Sequence, residues 1–288
     1  MPKSIIIRLP GITANGQRPL IQSAPLPPLW TPQQLTGLRG HWVPNTLAGV
    51  DGTEIENLAA SSGLSNTIYQ TTAGRKPVIA ALGGRKAAYF DGVDDGFRSP
   101  DVGALNAADK ITMFFRLKMD GFDTDNGLKP IMVFYGGTTA ITRLYFGLEN
   151  VSGASKRLGF AYRNNDADTS KFAWSSTVAD LNEHVIIASF DRSVSPTRFE
   201  IWMDGVNIMG TNTIYNAGAW DAVDGATPYI GASNATGFKG RLSNFGYIRN
   251  ILNTANRQYL EGYLAHSGNL LTLPNAHPYF TQPPRLSA

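Results

Sequence analysis

The sequence predicts an all-β fold: a two-sheet antiparallel jelly-roll sandwich with one C-terminal helix and an extended N-terminal arm. Three observations lead to this prediction. Apolar and polar residues alternate in many short segments, which recur with Gly, Asn or Asp between them. Helical periodicity is clear in one segment only, near the C-terminus. The first 29 residues differ from the rest and end in a proline-rich run.

Residues 1–29 are assigned to an assembly arm. The segment KSIIIRLPGI can pair as one strand, and QSAPLPPLW favours an extended, polyproline-like path. Such a segment buries too little surface to fold alone, so it must dock on its own domain, dock on a partner or stay mobile. We expect the arm to add a strand to a neighbour's sheet edge. Its docking residues are Ile5, Ile6, Ile7, Leu9, Leu26 and Leu29.

Residues 30–288 form the predicted sandwich. The segment ITMFFRLKM alternates, with Thr112, Arg116 and Lys118 on one face and five apolar side chains on the other: Ile111, Met113, Phe115, Leu117 and Met119. RFEIWMDG alternates in the same way and turns at Asp204 and Gly205, which is a hairpin signal. Further strand candidates are HVIIASFD, LYFGLE, RLGFAYR, TPYIGAS and RLSNFGYIR.

The single predicted helix covers residues 253–267. Asn253 or Thr254 can cap its N-terminus, and five apolar residues share one side: Leu252, Tyr259, Leu260, Tyr263 and Leu264. Gly268 is suited to end the helix in a left-handed turn. A shorter helical turn is expected after Pro32.

Composition excludes several classes of protein. The absence of cysteine excludes disulfides, cysteine-ligated metals and cysteine nucleophiles. The net charge of +3 is spread without a basic cluster, which argues against nucleic-acid binding. No segment approaches the roughly 20 apolar residues that span a bilayer, and the N-terminal apolar run is too short for a signal peptide. We expect neither nucleic-acid binding nor membrane insertion.

Four segments, taken in order, resemble a known family. They are LWTPQQLTGLRGHWVP (29–44), AAYFDGVDDGF (87–97), FDRSVSPTRFEIWMDGV (190–206) and YIGASNATGFKGRLSNFGYIRNILNTANRQYLEGYLAH (229–266). Together they resemble the concanavalin A-like lectin-glucanase jelly roll of the laminin-G type. The resemblance implies that the segments are an opening strand, a strand and turn, a central hairpin and the closing strands with a helix.

The C-terminal tail is similar to the ending found in phage and bacterial surface versions of this domain. The matching residues are 261–266, Leu273-Pro274, 277–279 and Pro283-Pro284; the usual Lys-Trp-Gly is replaced by Ser267-Gly268-Asn269. We interpret this ending as a proline-rich clasp. The helix lays its Tyr and Leu face on the outside of one sheet, and the prolines carry the chain over that surface.

The sequence motifs that would indicate a catalytic site are weak. Glucanases of this fold use paired carboxylates on one strand, but no Glu-x-Asp-x-x-Glu occurs here. Glu54 and Glu56 share a strand face, for which a solvated edge strand is the favoured interpretation. The four histidines lack metal-ligand spacing, and structural roles are expected for them: His41, His184, His266 and His277. We therefore predict that the protein is not an enzyme.

Acidic loops are candidate calcium sites, because calcium takes hard oxygen ligands and laminin-G relatives bind it at a sandwich rim. The segment DGFDTDNG offers Asp120, Asp123 and Asp125 but lacks the bidentate Glu of an EF-type loop. For the segment DGVDDG, residues 91–96, the favoured interpretation is a tight turn. Calcium is thus the one candidate cofactor, and otherwise none is predicted.

Three tryptophans are candidate platforms for sugar rings: Trp174, Trp202 and Trp220. Trp202 points away from the apolar face of its strand, whereas Trp174 and Trp220 are expected in polar loops. The alternative for Trp202 is that it fills the second face of its sheet under a loop or the helix.

The predicted function follows from resemblance and from the arm. The main hypothesis is a non-enzymatic accessory protein of a phage virion, a head decoration or tail/baseplate component assembled in the host cytoplasm. Its partners would be other virion proteins, in many copies or as a homo-oligomer. The alternative hypothesis is a carbohydrate-binding adhesion or receptor-recognition module for a host surface glycan. A glycan hydrolase or lyase is the third class, and it requires a catalytic group that the sequence does not reveal.

Overall fold

The computed structural model describes residues 26–61, 66–100, 110–121, 128–136, 141–151, 155–163, 171–194, 197–210, 227–232 and 237–286. The strands in these stretches are β1 (Leu38–Trp42), β2 (Asn57–Leu58), β3 (Ile68–Tyr69), β4 (Val78–Leu82), β5 (Arg85–Asp91), β6 (Gly96–Arg98), β7 (Lys110–Met119), β8 (Lys129–Gly136), β9 (Ile141–Val151), β10 (Ser155–Tyr162), β11 (Lys171–Val178), β12 (Glu183–Asp191), β13 (Arg198–Met203), β14 (Val206–Asn207), β15 (Thr227–Gly231) and β16 (Lys239–Ile248). The helix α1 spans Thr254–His266, and two short 3-10 turns span Pro32–Gln34 and Pro44–Thr46.

The strands form two antiparallel sheets, so the predicted two-sheet sandwich is confirmed. The first sheet has the order β14-β13-β12-β7-β16-β5-β4, with β1 also paired to β16. The second sheet has the order β11-β10-β9-β8-β15-β6-β3-β2. Neighbouring strands are far apart in sequence at the centre of each sheet, as expected for a jelly roll.

The core lies between the sheets and is filled by the inward-facing side chains of their strands. The five residues of β7 that were predicted to share a face all lie in this core. Phe115 of β7 stacks on Phe146 of β9 with ring centroids 5.5 Å apart, which ties the two sheets together. The predicted hairpin joins β13 to β14, and both turn residues, Asp204 and Gly205, have positive φ.

The helix α1 covers the outer side of the first sheet. The Asn253 side chain accepts a hydrogen bond from the Asn256 amide at 2.8 Å, so Asn253 is the cap. The buried face of the helix, with Leu260 and Leu264, belongs to an apolar cluster that includes Ile187 of β12. Within the described stretches no helix combines the length and apolar character needed to cross a bilayer.

The C-terminal end of the helix differs from the prediction. The helix ends at His266, the amide of the capping residue Ser267 donates to the Leu264 carbonyl, and Gly268 does not adopt a left-handed conformation. A Cβ at Gly268 would lie 2.7 Å from the Gly83 carbonyl oxygen and 2.9 Å from the Arg116 guanidinium. The glycine is therefore required for close packing rather than for turn geometry.

The C-terminal tail contacts both the helix and the start of the described chain. Tyr259 stacks between Trp30 and Tyr279, with centroid distances of 5.5 and 5.2 Å. The Trp30 amide donates to the Pro284 carbonyl at 3.0 Å, so the backbone preceding β1 pairs with the end of the tail. The tail therefore contacts the helix and the backbone before β1, and its role as a clasp stays a prediction.

Candidate functional site

The outer side of the second sheet carries the most distinctive surface of the described chain. In β10, Leu158, Phe160 and Tyr162 point into the core. The residues between them, Gly159 and Ala161, therefore face outward. The register of β11 on β10 pairs Trp174 with Gly159 and Phe172 with Ala161. Both aromatic side chains therefore lie on the outer side, and each is partly exposed.

Two glycines create a strip without side chains where β9 and β10 pair, near the β11 end of this side. Gly159 of β10 pairs directly with Gly147 of β9. A Cβ at Gly159 would lie 1.9 Å from the Trp174 ring, and one at Gly147 would lie 2.6 Å from the Tyr145 hydroxyl. The two rings therefore occupy the space above the bare backbone and lie low on the sheet. Glycine inside a strand typically marks such a close approach.

Other aromatic rings extend this surface. Phe172 stacks on Trp174 with centroids 5.7 Å apart and an interplanar angle of 18°. Tyr135 of β8 contacts Tyr229 of β15 edge to face at 5.1 Å. Tyr145 is buried beneath this layer, among Val133 and Ala161. We call the surface formed by Tyr135, Phe172, Trp174 and Tyr229, with Tyr145 beneath it, the aromatic face.

A cavity of about 300 Å³ opens at one end of the aromatic face. Strand register places Tyr69 of β3, Arg98 of β6 and Tyr229 of β15 side by side on the outer side, and all three line the cavity. The Arg98 guanidinium lies over the Tyr229 ring, 5.8 Å from its centroid. Arg75 and Asp94 complete the charged lining and form an ion pair at 3.2 Å.

The segment 91–96 forms a turn next to this cavity. Carboxylate oxygens of Asp91, Asp94 and Asp95 lie within 4.8 Å of one another. Asp91 accepts a hydrogen bond from the Val93 amide at 2.8 Å, and Asp95 accepts one from the Asp91 amide at 3.0 Å. Burial raises the pKa of Asp95 to about 6, although the Asp91 amide opposes this. These bonds to the segment's own backbone are those of a tight turn, the favoured interpretation.

The predicted calcium ligands are only partly described. Asp123 and Asp125 lie outside the described residues. Asp120 pairs through one carboxylate oxygen with Arg241 at 3.2 Å, and its other oxygen has no hydrogen-bond partner among the described residues. An oxygen of this kind suits a cation ligand, but Arg241 already supplies a positive charge. Calcium binding stays a prediction.

The three predicted tryptophans have different positions. Trp174 lies in β11 and not in a polar loop, and it belongs to the aromatic face. Trp202 lies on the outer side of the first sheet, with the Arg257 guanidinium of α1 3.4 Å from its ring centroid. Its position is that of the alternative interpretation, under the helix, and we do not include it in the aromatic face. Trp220 lies outside the described residues.

Of the predicted docking residues, the structure describes only the two nearest the domain. Ile5, Ile6, Ile7 and Leu9 fall outside it, whereas Leu26 and Leu29 are 66% and 52% exposed. The outer edge of β4 already pairs with residues 52–55, and that of β11 pairs with residues 208–210. Strand addition by the arm, and the boundary at residue 29, stay predictions.

The carboxylates and histidines singled out by sequence make structural contacts. Glu54 and Glu56 both pair with Lys76 on the surface, at 3.5 and 3.1 Å. His41 is buried, and its Nε2 lies 2.6 Å from the Asn244 side-chain oxygen. Burial lowers the pKa of His41 to about 4, although the hydrogen bond to Asn244 opposes this.

His184 lies between two carboxylates at the start of β12. Its Nδ1 is 2.6 Å from Asp204 and its Nε2 is 2.8 Å from Asp180. Burial lowers the pKa of His184, but the hydrogen bonds and charges of Asp204 and Asp180 outweigh it and raise the pKa to about 9. The imidazolium therefore holds the hairpin turn at Asp204 to the sheet.

We expect this raised pKa to make folding stability pH-dependent. Protonated His184 stabilises the folded state. This contribution is complete below the pKa of the unfolded chain, near 6.5, and is lost as the pH rises through the folded pKa of about 9. The free energy of unfolding should fall by up to about 3 kcal/mol over this window, since one pKa unit corresponds to about 1.4 kcal/mol. Urea unfolding at several pH values measures it. His184→Gln should remove the slope, whereas His266→Gln should keep it; a slope unchanged in His184→Gln would contradict the assignment.

Sequence reasoning missed most of the aromatic face and the whole cavity. The alternation in KFAWSS, residues 171–176, carries a signal for β11, because Phe172 and Trp174 are separated by one small residue. The tyrosines in LYFGLE and TPYIGAS also alternate with core residues. Their meeting on one surface depends on strand order and register, which the sequence does not specify locally.

Comparison with known proteins identifies the fold. No protein-family model matches this chain, and no curated protein matches it. A sialidase of Trypanosoma rangeli, solved with the inhibitor DANA, superposes with a TM-score of 0.52 and 14% identity over 82% of this chain and 34% of its own. Domain 4 of AbnA, a GH43 extracellular arabinanase of Geobacillus stearothermophilus solved with arabinotriose, superposes with a TM-score of 0.50 and 14% identity over 78% of this chain and 98% of that domain. The chain thus spans about a third of the sialidase, and the similarity confirms the jelly-roll fold.

Proposed function

We propose that the protein is a non-catalytic carbohydrate-binding module that binds glycans on the aromatic face. One observation carries the proposal: the Gly147–Gly159 pair lets the Tyr145 and Trp174 rings lie low over the sheet. Sugar rings have apolar C–H faces, which pack on aromatic rings, and polar edges, which need hydrogen-bond partners. The aromatic face supplies the rings, and the adjoining cavity supplies the polar groups.

The fold supports this proposal without determining it. The arabinanase domain of similar fold was solved with arabinotriose, so one protein of this shape holds a short glycan. The carboxylates Glu54 and Glu56 are paired with a surface lysine rather than placed at the aromatic face. A binding module without hydrolysis accounts for these features, and a reducing-sugar assay would reveal a hydrolase.

We expect the variant Phe172→Ala/Trp174→Ala to bind glycans at least about tenfold more weakly, since each stacked ring contributes roughly 0.5–1.5 kcal/mol beyond its buried area. A glycan panel identifies the ligand, and titration calorimetry compares the variants. Tyr89→Ala is the matched control, because Tyr89 is a partly exposed aromatic residue in β5 of the other sheet. Unchanged affinity in the double variant, or equal loss in Tyr89→Ala, would contradict the proposal. Adding EDTA in the same titrations tests the predicted calcium.

The virion role is a second proposal, compatible with the first. It rests on the resemblance described above and on one observation, the exposure of Leu26 and Leu29 where the arm meets the domain. Large exposed apolar side chains at such a junction suit a protein contact. A chain lacking residues 1–25 should keep glycan binding and lose incorporation into particles; retained incorporation would remove the arm from this role.

A further inference from the structure

We propose that the cavity beside Arg98 binds a sugar that carries a carboxylate group, such as a uronic or sialic acid unit. This inference rests on the proposed function, because the cavity continues the aromatic face through Tyr229. Its volume of about 300 Å³ lies at the small end of the range of ligand pockets. A single sugar unit therefore suits the cavity, while the rest of the glycan lies on the aromatic face.

Three cross-strand neighbours form the wall of this cavity. The register pairs Arg98 with Tyr229 on one side and with Tyr69 on the other. Directly opposed residues on one sheet face lie about 5 Å apart at Cβ, so the Arg98 side chain leaves the sheet between two tyrosines. The contact of Arg98 with the Tyr229 ring is a cation–π interaction, which orients the guanidinium plane without using its N–H donors.

The charges leave Arg98 available for an anion. Arg75 is paired with Asp94, whereas no carboxylate in the described part of the chain lies within ion-pair distance of Arg98. An arginine of this kind binds a carboxylate through two parallel hydrogen bonds. The hydroxyl groups of a neutral sugar can accept from the same donors, but a carboxylate forms stronger, charge-assisted hydrogen bonds, so the cavity should prefer the acid.

The rest of the cavity lining includes the Arg75–Asp94 ion pair and a loop held by Gln70. The Gln70 side chain donates to the Gly96 carbonyl at 2.9 Å and accepts from the Thr72 amide at 3.0 Å, which fixes the loop that bears Arg75. Asp94 is the one carboxylate among the described residues that line the cavity, and its charge is shared with Arg75 through the ion pair at 3.2 Å. The ligand carboxylate should therefore pair with Arg98, the lining arginine that no carboxylate in the described stretches neutralises, and this pairing would fix the orientation of the sugar.

The test uses matched glycan pairs on the full-length chain. One arm compares an oligosaccharide ending in a uronic acid with its carboxyl-reduced form, and a second arm compares a sialylated oligosaccharide with its reduced form. We expect one of the acids to bind about tenfold or more tightly than its reduced form, because hydrogen bonds to charged groups are stronger than those between neutral groups. Arg98→Gln should abolish this preference while keeping affinity for the reduced form. Arg198→Gln, an exposed arginine in β13, is the matched control.

A second variant tests the orientation independently. Asp94→Asn should strengthen binding of the acid, because it removes a negative charge from the cavity lining and frees Arg75. Circular dichroism and thermal unfolding confirm that each variant is folded. Equal binding of acid and reduced form by the wild type, or a preference that survives Arg98→Gln, overturns the inference and leaves the proposed function intact. Failure of every glycan to bind overturns the proposed function itself.

Discussion

Replacing Arg116 with alanine should lower the free energy of unfolding by about 3–5 kcal/mol, the usual effect of removing one partner of a buried ion pair. Arg116 lies in β7, and its side chain is 1% exposed. It pairs with Glu183 of β12 at 2.5 Å. The same guanidinium donates to the Leu264 carbonyl at 3.0 Å and to the Asn269 carbonyl at 2.6 Å. One side chain thus neutralises a carboxylate and donates to a carbonyl in the last turn of α1 and to another just beyond the helix.

Two variants separate these contributions. Lys118→Ala is the matched control, because Lys118 lies on the same strand but is 37% exposed and 4.0 Å from Asp120. It should change stability by less than about 1 kcal/mol. Arg116→Lys keeps the charge but loses the fork of donors, so it should remain clearly destabilised. Chemical unfolding measures all three, and a loss in Arg116→Ala no larger than in Lys118→Ala would contradict the account.

Replacing Glu261 with alanine should have an effect of the same size, about 3–5 kcal/mol. The Glu261 side chain is 1% exposed and lies inside α1, facing the C-terminal tail. Arg257 pairs with it at 2.6 Å and His277 of the tail at 3.0 Å. Without the carboxylate, a buried guanidinium loses its partner and the tail loses its polar contact with the helix.

Two further variants and hydrogen exchange test whether the Glu261 carboxylate stabilises the helix through the tail. Glu261→Gln keeps the shape and an acceptor oxygen, so it should be less destabilising than Glu261→Ala. Glu56→Ala, which breaks an exposed pair with Lys76, is the matched control and should change stability by less than about 1 kcal/mol. Hydrogen exchange should show faster exchange of α1 amides in Glu261→Ala. Protection equal to the wild type would show that the tail does not hold the helix.

These stabilising contacts lie on the opposite side of the sandwich from the aromatic face. Arg116 and Glu261 act on the outer side of the first sheet, whereas Trp174 lies on the outer side of the second. Variants at the clasp that remain folded should therefore keep their affinity for glycans. This separation lets stability and binding be measured independently.

The regular parts of the fold could be predicted because their signals are local. Every second residue of β7 from Ile111 to Met119 is apolar, and α1 has a cap and an apolar side within one segment. Gly268 misled the prediction because a glycine after a helix suggests a left-handed turn, whereas here it makes room for the Arg116 guanidinium. Close packing against a distant strand leaves no mark in the neighbouring sequence.

The candidate site could not be predicted for the same reason. Trp174 was recognised as a platform residue, but the glycine beneath it is in another strand and is identified only through register. The cavity joins Tyr69, Arg98 and Tyr229, which come from three separate parts of the chain. Long-range pairing, and not residue type, brings them together.

The most direct test of glycan binding on the aromatic face is a ¹⁵N-correlation NMR titration that follows the tryptophan indole N–H signals. Trp174→Phe assigns its signal. A glycan that binds the aromatic face should shift the Trp174 signal, while the signals of Trp42 in the core and Trp202 under the helix keep their positions. A glycan that binds yet leaves the Trp174 signal unchanged would place the binding site elsewhere and contradict the account.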